Sequence, residues 1–258
     1  MTAAAPAGTG TALFGYVLAL ADDALVLAQR SAEWITRAPQ LEEDVALANI
    51  GLDLLGQARA LLTYAGEVEG AGRDEDDLAY LRSERQFRNV QLVERRDGDF
   101  AEAVARLLVF SGYQLELYRA LSASADETLA AVAAKAVKEV AYHQDHAAAW
   151  TVRLGDGTDV SHVRMQAGLE RVWPFVDELF DGSWIDPDLP ARGVAVDPAA
   201  LRPAWERRLD GVLREATLDA PSPRWHARGG RYGVHTEALG YVLAELQHVH
   251  RSHPGASW

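Results

Sequence analysis

Three residues of a predicted helix have the types and spacing that could hold a cation. Glu139, His143 and His146 follow one another at intervals of four and three residues, so one helical face would carry a carboxylate and two imidazoles. A carboxylate-bridged di-iron site in a four-helix bundle requires Glu-x-x-His on two helices and one acidic residue on each of the other two. Val140 stands where the Glu of that motif would precede His143. We therefore interpret these residues as polar positions of a helix, with His143 partly packed, rather than as a metal site.

Asp53 raises the same question on an earlier helix, because it lies within a run of leucines. An acidic residue in a mostly apolar helix needs a partner or contact with solvent. The residue three positions later is Gly56, so this turn of helix would supply at most one metal ligand. We expect Asp53 to line a polar strip together with Asn49 and Gln57.

An arginine-rich segment, residues 222–233, stands out in an otherwise acidic chain. Arginine and aromatic residues are enriched in the cores of protein interfaces, and arginine also clamps phosphates such as those of coenzyme A. Two interpretations stay open, a surface that contacts a partner or coenzyme A and a solvated loop. The side chains concerned are Arg224, Trp225, His226, Arg228, Arg231 and Tyr232.

Other catalytic chemistries find little support in the sequence. There is no Gly-x-Ser-x-Gly elbow, and Ser183 stands in a loop without a histidine nearby in sequence, which argues against a serine hydrolase. No glycine pattern follows a strand, as a nucleotide-binding loop would require. We interpret His248, His250 and His253 as surface histidines.

Composition narrows the class of protein further. A chain of 258 residues with 48% hydrophobic content can bury a large core in one domain. The net charge of −13 disfavours binding to nucleic acid and to anionic lipid. The chain has no cysteine, so nothing demands an oxidising compartment. Polar residues interrupt each apolar run before it reaches the length of about 18 residues that a membrane span needs. We expect a soluble, cytoplasmic protein.

Hydrophobic periodicity predicts an all-α protein. Apolar residues recur every three or four positions, as in amphipathic helices, in five long segments, residues 13–34, 41–65, 99–121, 126–154 and 160–180. The second segment carries two apolar stripes, so we expect it to be buried on most sides, and Pro174 should kink the fifth.

Shorter helices and long loops complete the predicted architecture. Two long loops, residues 181–196 and 218–233, alternate with helices predicted at residues 198–217 and 235–251, the first of them starting at Pro198 after Asp197 as N-cap. Residues 1–10 are predicted to be a disordered tail, and residues 11–258 a single domain.

Several long strings resemble one family in the same order along nearly the whole chain. That family is the C subunits of phenylacetyl-CoA epoxidase complexes. The strings are residues 33–39 (EWITRAP), 46–59 (ALANIGLDLLGQAR), 83–87 (SERQF), 134–143 (AKAVKEVAYH), 153–161 (RLGDGTDVS), 195–206 (AVDPAALRPAWE) and 235–247 (HTEALGYVLAELQ).

The resemblance implies a ferritin-like helical bundle with extra C-terminal helices, and a non-catalytic role. It implies a multicomponent monooxygenase that epoxidises the ring of phenylacetyl-CoA in phenylacetate catabolism. The homologous A subunit would carry the di-iron centre, and a reductase with FAD and an iron-sulfur centre would supply electrons from NADPH. This chain would bind none of these cofactors, and would pair with and stabilise the A subunit alongside the other subunits.

Matching the chain to the pattern of the catalytic homologue leaves few metal ligands. Only Asp53 and His143 could coordinate a metal, so they are interpreted as vestigial ligand positions, and two ligands do not hold two irons. Two alternatives remain, a metal-binding oxidoreductase whose own unconventional site includes Glu139 and His146, and a homodimer when the chain is alone. The six matched positions are Ala24, Asp53, Gly56, Ser111, Val140 and His143.

Overall fold

The computed structural model describes residues 7–256, and within that range it consists of α-helices, short 3-10 turns and loops, without a strand. The predicted all-α class is confirmed. The α-helices are α1 (Ala7–Ala32), α2 (Leu41–Glu69), α3 (Glu75–Tyr80), α4 (Gln91–Glu94), α5 (Phe100–Leu121), α6 (Glu127–Gly155), α7 (Asp159–Val172), α8 (Val176–Leu179), α9 (Asp188–Ala191), α10 (Arg202–Glu215) and α11 (Glu237–Ser252).

Four long helices form the central bundle. Helix α1 packs along α2, α5 packs along α6, and α2 also contacts α6, which closes the bundle. Helices α7 and α10 cover α5. Leucine, isoleucine and phenylalanine side chains from α1, α2 and α5 fill the interior, among them Leu27, Ile50, Leu54 and Phe110. Burial of these side chains is the main stabilising contribution, since each large apolar side chain removed from water contributes about 1.5–3 kcal/mol.

Helices α1 and α2 are more apolar than we expected. The sequence analysis found no apolar run long enough for a membrane span. Residues Gly10–Ala32 and Leu41–Glu69 are both long and apolar enough to cross a bilayer by length and composition alone. In the fold, 72% of the apolar window of α1 is buried inside the protein. The apolar surface of α1 therefore faces the protein's own core.

The prediction that α2 is buried on most sides is wrong for the isolated chain. One stripe, which includes Ile50 and Leu54, is completely buried against the bundle. The other remains in solvent, with Val45, Leu52 and Leu55 exposed by 54%, 64% and 46%. Both stripes look alike in sequence because both are apolar, and only the position of the neighbouring helices distinguishes them.

Helix ends differ from the prediction where local chemistry intervenes. Helix α1 begins at Ala7, inside the predicted tail, and the rest of that tail lies outside the described residues. The predicted fifth helix ends at Val172, and a 3-10 turn around Pro174 precedes α8, because proline lacks the N–H that would continue the helix. Helices α3, α4 and α9 were missed, the last of them inside the predicted loop 181–196, since segments of four to six residues are too short for a periodic pattern. The two predicted C-terminal helices are present with shifted starts, because a 3-10 turn over Pro198–Leu201 precedes α10 and α11 begins at Glu237.

Candidate functional site

The polar positions of α2 and α6 face each other across the bundle. Nε2 of His143 lies 3.0 Å from Oδ2 of Asp53, and the His143 side chain is only 1% exposed. Gln57 Nε2 donates a hydrogen bond of 3.0 Å to Oε2 of Glu139. The predicted polar strip therefore includes Asp53 and Gln57, whereas Asn49 is exposed to solvent.

A third pair joins the same two helices near the start of α2. Nε2 of His146 lies 3.1 Å from Oε2 of Glu43. The side chains of His146 and Glu43 are mostly buried, with 11% and 9% of their surface exposed. As α2 runs forward from Glu43 to Gln57, its partners on α6 run backward from His146 to Glu139. The three pairs therefore hold α2 and α6 in an antiparallel register.

Burial controls the charge of the two histidines in these pairs. Burial lowers the pKa of His143, and the nearby Asp53 carboxylate opposes this only in part. Burial likewise lowers the pKa of His146 against the opposing charge of Glu43. Nδ1 of His143 is buried without a hydrogen-bond partner, which fits a neutral ring that donates from Nε2 to Asp53. The His143–Asp53 contact is therefore a hydrogen bond of a neutral imidazole at neutral pH, whereas His146 and Glu43 lie close together without a hydrogen bond, and Oε2 of Glu43 is buried without a hydrogen-bond partner among the described residues.

The network extends to α5 through a residue that the sequence did not single out. Gln114 Nε2 donates to Oε1 of Gln57 at 3.2 Å, so Gln57 joins three helices of the bundle. Ser111, one turn earlier on α5, donates to the carbonyl oxygen of Leu107 and also lies 2.9 Å from Oε1 of Gln144. A glutamine or serine in a helix carries no signal in sequence that it is buried, and only the packed structure reveals these contacts.

The residues of this site do not fit a di-iron centre. Ala24, Gly56 and Val140 offer no side-chain donor atoms at three of the six matched positions. The remaining acidic and imidazole side chains are divided among separate pairs, and within the described range no group of three or more His, Cys, Asp or Glu side chains could hold a metal ion. What this arrangement does chemically is cross-link helices through hydrogen bonds.

The arginine-rich segment is divided by the structure into buried and exposed residues. Arg231 is 5% exposed, and its Nη2 donates to Oδ2 of Asp23 at 2.7 Å, while Nη1 donates to the carbonyl oxygens of Ala19 and Arg88. The expectation that Arg231 contacts a partner or coenzyme A at the surface is therefore corrected, because its guanidinium is occupied within the chain. Arg224 and Arg228 are exposed.

The other candidate side chains have local partners or lie in solvent. Ser183 Oγ lies 3.1 Å from the Tyr232 hydroxyl, with neither a base nor an acid in that contact. His226 pairs with Asp177 at 2.7 Å. His250 stacks on Tyr80 with the ring centroids 4.8 Å apart, while His248 and His253 are exposed.

Comparison with known proteins decides the family. The sequence fits the family described as "Phenylacetic acid catabolic protein" over residues 1–258. The chain belongs to this family. It is 49% identical over 246 residues to the C subunit of the 1,2-phenylacetyl-CoA epoxidase of Escherichia coli (strain K12), a match that covers 95% of this chain and 99% of the relative. The resemblance inferred from the sequence strings is confirmed, and the helical bundle is consistent with a ferritin-like member of the family.

Proposed function

We propose that this chain is a cytoplasmic, non-catalytic subunit of a phenylacetyl-CoA ring epoxidase that pairs with and stabilises the di-iron catalytic subunit. Its 49% identity to the E. coli C subunit, across nearly its full length, supports membership of such a complex in phenylacetate catabolism. A subunit that holds no iron itself can still act by binding, because it shifts its partner toward the folded, competent state by mass action.

The observation that carries the proposal is that polar side chains of α2 and α6 bind one another in pairs. Asp53 bonds to His143 and Gln57 bonds to Glu139, so α2 and α6 are linked directly where a di-iron protein would link them through metal. This arrangement keeps the bundle shape without supplying a metal-binding set. This arrangement supports a scaffold role for the chain, with the oxygenase chemistry carried by the catalytic subunit.

An exposed apolar surface on α2 supports the partner role. Leu41, Val45, Leu52 and Leu55, which we call the α2 stripe, are exposed by 73%, 54%, 64% and 46%. Their spacing of four, seven and three residues places them along one side of the helix. An apolar stripe of this kind marks an interaction site, and its burial would contribute about 25 cal/mol per Å². We propose that a helix of the catalytic subunit packs against it.

Co-purification tests this assignment. The chain and the catalytic subunit from its source organism would be co-expressed, and the Leu52→Glu/Leu55→Glu variant compared with wild type. We expect the stripe variant to lose the catalytic subunit. Val160→Glu/Val163→Glu is the matched control, because those valines on α7 are exposed by 65% and 66% and lie outside the stripe.

The stabilising role has a separate readout. The thermal midpoint and soluble yield of the catalytic subunit would be measured with and without this chain. We expect both to fall when the chain is absent. Unchanged stability and unchanged epoxidase activity without this chain would refute the proposed function.

A further inference from the structure

A buried histidine fastens the start of the C-terminal helix α11 to the body of the protein. His235 stands two residues before α11, which begins at Glu237. Its Nδ1 lies 2.8 Å from Oε2 of Glu94 on α4, and neither side chain has exposed surface. Oε1 of the same carboxylate accepts a 2.6 Å hydrogen bond from the backbone N–H of Thr236. Glu94 therefore holds both residues that lead into the helix.

The ring of His235 needs a proton on each nitrogen to make all of its contacts. Nδ1 faces the carboxylate of Glu94, and Nε2 lies 3.1 Å from the carbonyl oxygen of Phe87. A neutral imidazole carries only one N–H, so one of its nitrogens would present a lone pair to an oxygen atom. The geometry therefore positions His235 as a buried imidazolium paired with Glu94.

Charged groups on the neighbouring elements favour the protonated ring. Burial by itself lowers the pKa of His235, but the hydrogen bond and charge of Glu94, the carbonyl oxygen of Phe87 and the charge of Asp22 outweigh it and raise the pKa. The other charged side chains of this region are Arg30 of α1, Arg82, Glu84 of the 3-10 turn before α4, Glu178 of α8, Arg231 and Glu237 of α11.

Helix α11 depends on this pair because its own N-cap is weak. A threonine at this position usually accepts a hydrogen bond from a backbone N–H two or three residues later. Within the described part of the chain, Thr236 makes no such bond, and its Oγ1 is buried without a partner. Arg30 Nη2 of α1 donates to the carbonyl oxygen of Ala238 at 3.1 Å. The first turn of α11 is therefore held by contacts to α4 and α1.

The chain before His235 has a separate anchor that stays charged at neutral pH and above. Arg231 Nη2 donates to Oδ2 of Asp23 at 2.7 Å. Burial raises the pKa of Asp23 to about 6 against the opposing charge of Arg231, so the carboxylate is ionised in this range. Gly233 lies between the two anchors with φ at 75°, a conformation that glycine adopts without strain. One anchor can therefore open while the other holds.

We propose that the His235–Glu94 pair is a pH-sensitive latch, which holds the start of α11 on α4 while His235 is protonated and releases it when His235 loses its proton above neutral pH. Without the proton, Glu94 is a buried carboxylate beside an uncharged ring, and a buried charge without a charged partner is strongly disfavoured. The latch is a property of this chain alone and goes beyond the proposed function.

Release of the helix start would widen a cavity between α1 and α11. This cavity has a volume of about 450 Å³, and its lining includes Arg30, Glu33, Ala238, Tyr241 and Glu245. Arg30 both lines the cavity and binds the Ala238 carbonyl oxygen. Movement of the first turn of α11 away from α1 would break that hydrogen bond. The latch therefore couples the protonation of His235 to the access of solvent between these two helices.

Proton linkage sets the size of the expected effect. In the open segment His235 would have its usual pKa of about 6.5, whereas the closed segment binds the proton more tightly. Closure is therefore fully supported below about pH 6.5 and weakens as the pH rises through the raised pKa. The closing equilibrium should fall by about tenfold for each pH unit that separates the closed pKa from about 6.5.

Two measurements on the purified wild-type chain test the proposal. An NMR titration of the histidine rings, with His235 assigned by its absence from the His235→Gln spectrum, gives the pKa. Hydrogen–deuterium exchange of residues 234–240 would be followed between about pH 6 and about pH 9, with each rate divided by that of an unstructured peptide at the same pH. We expect protection to fall by the factor that the measured pKa requires, while the amides of α5 keep their protection.

Three variants separate the latch from other effects of pH. His235→Gln has no titrating group, so we expect protection of residues 234–240 to become independent of pH. His235→Lys keeps a cation beside Glu94 up to about pH 10 and should retain protection at about pH 9. His250→Gln is the matched control, because His250 lies on the same helix and stacks on Tyr80, and it should behave as wild type. Equal circular dichroism at about pH 6 establishes that the variants are folded, and the wild-type measurements stand without them.

Four outcomes would overturn the latch. They are a His235 pKa at or below about 6.5, unchanged protection of residues 234–240 across the pH range, a fall in protection that persists in His235→Gln or disappears in His250→Gln, and a parallel loss of protection in α5, which would indicate global unfolding. None of these outcomes bears on the proposed function, since none of them measures binding of the catalytic subunit.

Discussion

His143 Nε2 and Asp53 Oδ2 lie 3.0 Å apart and join two helices at positions that are 90 residues apart in sequence. The imidazole is buried and the carboxylate is 35% exposed, so the pair has one end in the core and the other near water. Because burial lowers the pKa of His143, the pair is a hydrogen bond to a neutral ring rather than a salt bridge. This has a direct consequence for stability in acid.

We predict that His143 destabilises the protein as the pH falls. Its pKa is lower in the folded state than its usual value of about 6.5, so the unfolded chain binds more protons between those two values and unfolding becomes easier there. Urea unfolding of wild type and His143→Gln, at about pH 7.5 and about pH 5, checks this. The variant should lose less stability on acidification, and equal losses would contradict the assignment of a neutral ring.

His235 should show the opposite dependence. Burial alone would lower the pKa of His235, but the hydrogen bond and charge of Glu94 outweigh it and raise the pKa. The stabilisation from this pair is fully present below about pH 6.5, the unfolded value, and is lost as the pH rises through the raised folded value. The stability advantage of wild type over His235→Gln should therefore shrink between about pH 6 and about pH 9. An advantage that grows with pH would show that the imidazolium assignment is wrong.

Metal content separates the proposed function from a metal-binding oxidoreductase. The purified chain would be loaded anaerobically with ferrous ion, desalted and assayed for iron. We expect well below one iron per chain, because the acidic and imidazole side chains of α2 and α6 are divided among separate pairs and so offer no convergent ligand set. A content of about two irons per chain in the wild type, reduced in the Asp53→Ala and His143→Ala variants, would establish the metal-binding oxidoreductase instead.

Adjacent leucines of α2 should differ sharply in their effect on stability. Leu54 is fully buried and Leu55 is 46% exposed. We expect Leu54→Ala to lower the free energy of unfolding by about 2–5 kcal/mol, and Leu55→Ala to change it by no more than about 0.5 kcal/mol. Chemical denaturation of the isolated chain measures both. Similar losses for the two variants would mean that the α2 stripe is covered in the isolated chain.

Local residue order was sufficient to predict the long helices and the residue types of the site. The spacing of apolar residues placed α1, α2, α5 and α6 correctly, because a long amphipathic helix repeats its pattern enough times to be recognised. Asp53, Gln57 and His143 were identified as polar positions in apolar helices, and Val140 excluded a Glu-x-x-His motif. These conclusions depend only on local residue order.

Which residues meet and which stay in water follows from the packing of the helices. The pairing of Gln57 with Glu139 joins residues 82 positions apart, and the stripe through Leu55 is exposed while the stripe through Leu54 is buried. Arg231 has the same residue type as Arg228, yet Asp23 binds it inside the protein. Periodicity reveals that a side chain is apolar or charged, whereas burial and ion pairing depend on the neighbours that folding brings from distant parts of the chain.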